Sequence, residues 1–264
     1  MLTIYDALDF IDCIPEAVGH TKPWVILAKK NKDVKKFVVK LYGVQQVENN
    51  YLCNEVICNI LSREFGLNSP PAALINFSED FQMNLTPELQ VQLINSDPRL
   101  KFATELIENN TSYISGLRKS QILKRISIDT LYAFDNMIRN ADRGQQKTNL
   151  LLTPQTAFLI DHEFVLNKRE ILNIDFNNFH IDDKFTRYHI FYTFLKNSRR
   201  KTKAEYFGEF SEYLKYTNFN YLNPYFQQLN NEGISYCQTE ILAWLNQVKQ
   251  NSVTFEGLLK ASLQ

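Results

Sequence analysis

Three residues of this 264-residue chain have types and spacing that suit chemistry on a phosphate. Asp142 opens a polar loop, Asn149 stands seven residues later, and Asp161 ends the apolar run Ala157-Phe158-Leu159-Ile160. The intervening Leu150-Leu151-Leu152, Thr153-Pro154-Gln155-Thr156 and second apolar run read as strand, turn, strand. A hairpin brings its open ends together, so Asp142, Asn149 and Asp161 are expected to converge. A carboxylate that can take the proton of an attacking hydroxyl, beside an Asn/Asp pair suited to a hard cation, is the equipment of phosphoryl transfer. Each residue alone also suits a turn, because Asp and Asn bond their own backbone. The ordered combination, closed by an acid after an apolar strand, is what points beyond a turn.

The elements that must position these residues fall into two kinds. Up to about residue 105 the pattern is rich in strands. Residues 1–12 have a loose helical or extended pattern. Trp24–Ala28 and Phe37–Tyr42 are β-branched and aromatic on either side of a charged reversal, and predict an antiparallel hairpin. Lys40 interrupts the second arm, where it either snorkels out of the sheet or points into a cleft; alternation alone favours the first. Val56, Ile57, Ile60, Leu61 and Phe65 have helical spacing, with Glu55 near the start and Gly66 as the stop. Pro70-Pro71 forces extended chain into a strand at 72–77. Residues 78–101 read as an irregular insertion with a short helix after Thr86, and 101–107 as a strand running into a connector. Beyond it helices are predicted over 122–139, 184–197, 203–216, 221–230, 234–249 and 254–262, around an irregular stretch at 167–183. The fold class is therefore α+β, with residues 1–105 and 106–264 as its two parts.

Composition narrows the function. Lys plus Arg and Asp plus Glu both number 29, so bulk charge does not indicate nucleic acid. The basic pairs Lys29-Lys30 and Lys35-Lys36 read as solvated edges, and the run Ser198–Lys201 as a helix end. Cys13, Cys53, Cys58 and Cys237 lack CxxC spacing and are expected to be reduced thiols of a cytoplasmic protein. No apolar run approaches the roughly 20 residues that span a bilayer. The histidines at 20, 162, 180 and 189 are too scattered to suggest zinc.

A strand-rich part with a strand lysine and a helix glutamate, followed by a helical part carrying Asp, Asn and Asp, follows the order of parts in a protein kinase. The finer resemblance, over about residues 17–165, is to the HipA-like kinases, within the group that includes the phosphatidylinositol kinases. Gly19-His20-Thr21-Lys22-Pro23 resembles that family's phosphate loop. Phe37–Lys40, Asn54-Glu55 and Phe65–Pro70 are similar to its lysine strand, its "NE" helix and the exit from that helix. Phe134–Arg143 resembles the catalytic segment, and Ile160-Asp161-His162 the metal-binding aspartate. The likeness is to the compact, stand-alone branch of the family.

The resemblance implies a two-lobed kinase fold using ATP and Mg²⁺ to phosphorylate a protein Ser/Thr hydroxyl. It assigns Asp142 as catalytic base, and Asn149 and Asp161 as metal ligands. Lys40 would meet the α/β-phosphates, held by Glu55, with Gly19, His20 and Thr21 around the phosphates and backbone at Thr104, Glu105 and Ile107 facing the adenine. Thr21 is by position a candidate for autophosphorylation. Many relatives place the metal asparagine five residues after the aspartate, where this chain has Lys147; Asn149 lies at the longer spacing of the stand-alone branch. Lys147 either neutralises phosphate charge or faces solvent, and solvent is the simpler expectation. A protein substrate is the expected partner, with an antitoxin-type regulator as a further one; neither nucleic acid nor membrane is indicated. Two alternatives stand beside this reading: a pseudokinase kept as an interaction module, and a lipid kinase, suggested by Asn140–Gly144 but lacking evident membrane-contacting segments.

Overall fold

The computed structural model describes residues 1–14, 22–112, 117–171, 181–234 and 236–264. The N-terminal part is rich in strands and the C-terminal part is helical. Packing divides the chain into two compact units, and the boundary falls within a helix.

The first unit comprises Met1–Asn59, Pro70–Glu108 and Leu222–Tyr236. Its strands are β1 (Thr3–Cys13), β2 (Trp24–Lys30), β3 (Asp33–Val39), β4 (Ala72–Asn76) and β5 (Lys101–Glu105), closed as a barrel in the order β1-β2-β3-β5-β4. β1 pairs in parallel with β4, and all other pairs are antiparallel. Of residues 1–12, left open by periodicity, all from Thr3 onward are strand, paired with β2 on one edge and with β4 on the other. The expected β2–β3 hairpin forms, but its reversal is only the two residues after Lys30, which faces Asp33. Residues 29–30 and 33–36 of the expected reversal belong to the strands, and Asn31 takes the left-handed φ of 56° that asparagine tolerates. Trp24, Ile26 and Ala28 alternate inward against Phe37, Val39, Ala73, Ile75 and Ala103, which fill the barrel. The second arm ends at Val39, three residues short of the expected Tyr42, although the Lys40 N–H still bonds Phe102 O at 3.1 Å. The insertion at 78–101 holds two helices, Glu79–Met83 and the expected Pro87–Ile94.

α1 (Val44–Glu48) leads into α2 (Tyr51–Glu64), which stops at Gly66 as expected. Gly66 has φ 66°, and the Leu67 N–H returns to Ser62 O at 3.0 Å, the bond pattern of a Schellman stop.

The second unit comprises Ile60–Ser69, Asn109–Tyr221 and Cys237–Gln264. Its small sheet, β6 (Thr111–Ser112), β7 (Leu150–Leu152) and β8 (Ala157–Leu159), contains the hairpin predicted around Thr153–Thr156. The helix predicted over 122–139 is two helices, Lys119–Leu123 and Ile128–Met137. The break has a cause: Arg125 gives its carbonyl to Ala157 N–H at 3.3 Å and its guanidinium to Thr153 O at 2.7 Å, so it ties the hairpin. The expected 184–197 helix splits into Asp183–Thr186 and Tyr192–Lys196, because His189 bridges Gly144 and the Ile190 N–H bonds Arg143 O at 2.9 Å. The expected 203–216 helix splits at Phe207, which has φ 71° and gives its N–H to Asp129 Oδ2 at 2.9 Å. The last two helices, Gln238–Gln250 and Ser252–Ser262, are close to their predicted spans. Among the described residues no helix is long and apolar enough to cross a membrane, and none of Cys13, Cys53, Cys58 and Cys237 is in a disulfide.

Candidate phosphoryl-transfer site

The helix Ile128–Met137 carries an aspartate in an otherwise apolar stretch, and that residue organises the loop that follows. Asp135 is fully buried and accepts bonds from Arg143 Nε at 2.7 Å, Asn140 Nδ2 at 2.9 Å and His189 Nε2 at 3.0 Å. Burial alone would raise its pKa, but the Arg143 charge and the bonds from His189 and Asn140 bring it down to about 2. His189, buried and beside the Arg143 cation, is pushed below the usual histidine range although Asp135 pulls it upward. The cluster is therefore one carboxylate, one guanidinium and a neutral imidazole.

The backbone turns on the same groups. Arg139 takes φ 59° and the Asn140 N–H reaches back to Asp135 O at 2.8 Å, closing the helix with a Schellman pattern at a non-glycine residue. Asn140 Oδ1 then accepts the Asp142 N–H at 2.9 Å, an Asx-turn that presents the Asp142 side chain. Arg143 also donates from its terminal nitrogens to Asn149 O and, at 3.1 Å, to His162 Nε2. One buried arginine thus reaches the helix at Asp135, the residue before the first strand of the hairpin and the residue after Asp161.

Asn149 and Asp161 flank the open end of the hairpin, where Leu150 pairs Leu159 and the Ile160 N–H bonds Asn149 O at 3.2 Å. Both have left-handed backbone, φ 49° and 64°, a conformation that costs energy outside glycine and accumulates at functional sites. Asn149 Nδ2 donates to Asp142 Oδ2 at 3.1 Å, so the amide oxygen Oδ1 is not engaged by that bond. The Lys147 ammonium is not left to solvent alone: its Nζ lies 2.7 Å from Asp142 Oδ2 and 2.8 Å from Asp161 Oδ2, although part of the side chain is exposed. The simpler expectation for that residue is corrected, because two carboxylates drawn together by the hairpin need a countercharge. Burial works against the ammonium, yet Asp161 and Asp142 hold it above the usual lysine range. Asp142, Asn149 and Asp161 are thus brought together, with a cation already among them.

The first unit holds a separate feature. Lys40, just past β3, forms an ion pair with Glu55 of α2, whose side chain is buried at 3% exposure and also accepts from Tyr42 Oη at 3.3 Å. A buried carboxylate with two donors is satisfied, and a half-buried lysine gains its partner. Thr104 and Glu105 lie in β5, with the Glu105 N–H on Pro71 O at 2.8 Å and its carboxylate on Lys35 at 2.5 Å. Ile107 follows the strand. Gly19, His20 and Thr21 lie outside the described residues.

Asp135, Asn140 and His189 were not legible as site residues. The signal available was an acid inside the apolar run Tyr132-Ala133-Phe134-Asp135, since a buried charge demands partners; nothing in the sequence says that His189 is one.

The sequence pattern of the HipA-like kinases matches residues 15–217. The chain belongs to the HipA-like kinase family, which places it among the phosphotransferases. A similar solved structure is that of CtkA, a proinflammatory kinase of Helicobacter pylori, at 12% identity and a TM-score of 0.47, covering 99% of this chain and 98% of that one. No curated protein sequence matches the chain.

Proposed function

We propose that this protein is an ATP- and Mg²⁺-dependent kinase that transfers the γ-phosphoryl group to a Ser or Thr hydroxyl of a protein. The observation that carries the reading is the convergence of Asp142, Asn149 and Asp161 through the hairpin, held from beneath by Arg143. The donor set fits the metal: carboxylate and amide oxygens suit a hard cation, and the two carboxylates already attract a positive group in Lys147. Asn149 and Asp161 would hold it, and when bound the ion would neutralise phosphate charge.

In this reading Asp142 is the base. It accepts Lys147 and Asn149 on Oδ2, so among the described residues Oδ1 is the oxygen with a lone pair for the proton of the acceptor hydroxyl. Asn149 and the Asn140 Asx-turn fix the direction in which that oxygen points. Lys40, oriented by Glu55, meets the α/β-phosphates. The family resemblance would assign Gly19, His20 and Thr21 to the phosphates and the segment of Thr104, Glu105 and Ile107 to the adenine. The proposal includes the two-lobed organisation of a kinase, with residues 1–105 and 106–264 as its lobes, a cytoplasmic setting, and an antitoxin-type regulator as a partner besides the substrate.

The test is calorimetric titration of ATP with and without Mg²⁺ into the wild type and Asp161→Asn, followed by transfer of labelled phosphate to protein acceptors. Mg²⁺-dependent binding lost in the variant, with transfer to Ser or Thr, is the expected result. Binding without transfer to any acceptor would favour the pseudokinase, a reading that the Lys147 contacts with both acids keep open. No binding at all would overturn the nucleotide site.

A further inference from the structure

The Lys147 ammonium sits where the site's two acids meet, and this has a consequence for the order in which ligands bind. Its Nζ is within 2.7 Å of Asp142 Oδ2 and 2.8 Å of Asp161 Oδ2, and lies 5.7 Å from the centre of the Phe164 ring. An ammonium has three donors, and the two carboxylates engage it from two sides, which leaves one donor for another partner. The backbone at this point is fixed, because the Gly144 N–H bonds Lys147 O at 3.0 Å. The side chain is not fixed in the same way: four methylenes and a third of its surface open to solvent let Nζ swing while the loop stays in place.

We propose that Lys147 is a built-in counter-ion, which holds the Asp142–Asp161 pair until a nucleotide polyphosphate supplies an alternative partner, so that divalent cation and nucleotide enter together. The inference rests on the kinase reading above and deepens it. A divalent cation on Asp161 would lie beside the ammonium, and the repulsion between the two opposes binding of bare metal. A polyphosphate changes the balance, because it brings enough negative charge to accept both cations. Lys147 then leaves Asp161 for phosphate oxygen, and Asp142 loses a donor from Oδ2 when the acceptor hydroxyl arrives. The lysine is thus a positioning residue that keeps two like charges together in the resting protein and couples metal affinity to nucleotide.

The experiment is calorimetric titration of Mn²⁺, as the probe cation, into the full chain without nucleotide and again with a saturating non-hydrolysable ATP analogue. Wild type, Lys147→Met, Lys147→Gln and Lys147→Met/Asp161→Asn are compared, with thermal unfolding as the check on folding. Wild type is expected to bind bare Mn²⁺ weakly and to gain when the analogue is present. Either single variant should bind bare Mn²⁺ about tenfold tighter than wild type, the scale on which groups beside a metal ligand shift affinity. The double variant should lose that gain. Single variants that bind bare Mn²⁺ no tighter than wild type overturn the inference, as does a wild type whose Mn²⁺ affinity is the same with and without the analogue it binds. Failure of wild type to bind the analogue under any condition overturns the kinase reading instead, and the bare-metal comparison still decides whether Lys147 is the counter-ion.

Discussion

Arg143 Nε donates to Asp135 Oδ2 at 2.7 Å with both side chains out of reach of solvent. Asp135 is bonded to three side chains, and Arg143 to the backbone of Asn149 and to His162, so the pair links helix, loop and hairpin. Removing one partner leaves the other charge buried. Asp135→Ala is expected to cost about 3–5 kcal/mol of stability. Urea denaturation of the variant is the check, and a loss below about 1 kcal/mol would mean that Arg143 finds solvent or another acceptor.

The same cluster sets the response to acid. The fold holds His189 neutral by burial, whereas the unfolded chain takes up a proton at that residue below about pH 6.5. The unfolded state then binds more protons, so stability falls as pH drops through this window. Asp135 adds a second loss further down: its contribution is complete above about pH 4, the unfolded carboxyl value, and disappears as pH falls towards about 2, its folded value. Denaturation midpoints measured from neutral to acid pH should decline in wild type below about pH 6.5 and decline less in His189→Gln. Wild-type stability that rises in the same window would show that His189 is folded as the imidazolium.

What could be read before the fold was known follows from how local the signals are. The β2–β3 hairpin, the Gly66 stop and the hairpin joining Asn149 to Asp161 each rest on residues close in sequence, whose turn chemistry and periodicity are visible there. The long predicted helices failed where distant residues reach in. Arg125 leaves helical geometry for the carbonyl of Thr153, Phe207 for the carboxylate of Asp129, and residues around His189 for Arg143 and Gly144. Periodicity over a window cannot see such a competitor. Lys147 shows the same gap on the scale of a side chain, since its two partners are chosen by the pairing of β7 with β8 and not by its neighbours.

Lys40 and Glu55 support each other, so their variants should differ in kind. On the role proposed for Lys40, Lys40→Met would remove a charge-assisted contact to phosphate worth about 1.5–3 kcal/mol, or about ten- to a hundredfold in ATP affinity. Glu55→Gln keeps the lysine but not its ion pair, and should weaken ATP binding less. Titration of ATP into both variants gives the comparison. Unchanged affinity in Lys40→Met would remove the lysine from the nucleotide site.

Gly66 is the glycine whose replacement has two separable costs. Its φ of 66° is strained for any side chain, at roughly 1–2 kcal/mol. An added Cβ would also lie 2.7 Å from the Tyr213 hydroxyl oxygen. Gly66→Ala should therefore destabilise the protein by at least the backbone cost, and Gly66→Ala/Tyr213→Phe should recover the part due to the hydroxyl. If the double variant is no more stable than the single one, the hydroxyl contact contributes nothing net, and the loss lies in the backbone conformation and the remaining contact with the Tyr213 ring.

Asp142 and Asp161 are both carboxylates on Lys147, yet the proposed roles separate them. Asp142 acts on the acceptor hydroxyl, so Asp142→Ala should lower phosphoryl transfer by about 10²–10⁴-fold, the range of a general base, and leave ATP binding intact. Asp161 is assigned to the metal, so Asp161→Ala should weaken ATP binding in the presence of Mg²⁺ as well as transfer. The distinction is sharpened by their shared lysine: each variant frees Lys147 from one acid and leaves it paired with the other, so the electrostatic disturbance is similar in the two. A difference between them in nucleotide binding then reports on the metal and not on the loss of a charge. Full transfer by Asp142→Ala would remove it as the base. Equal ATP affinity of Asp142→Ala and Asp161→Ala would show that the two acids do not divide the work in this way.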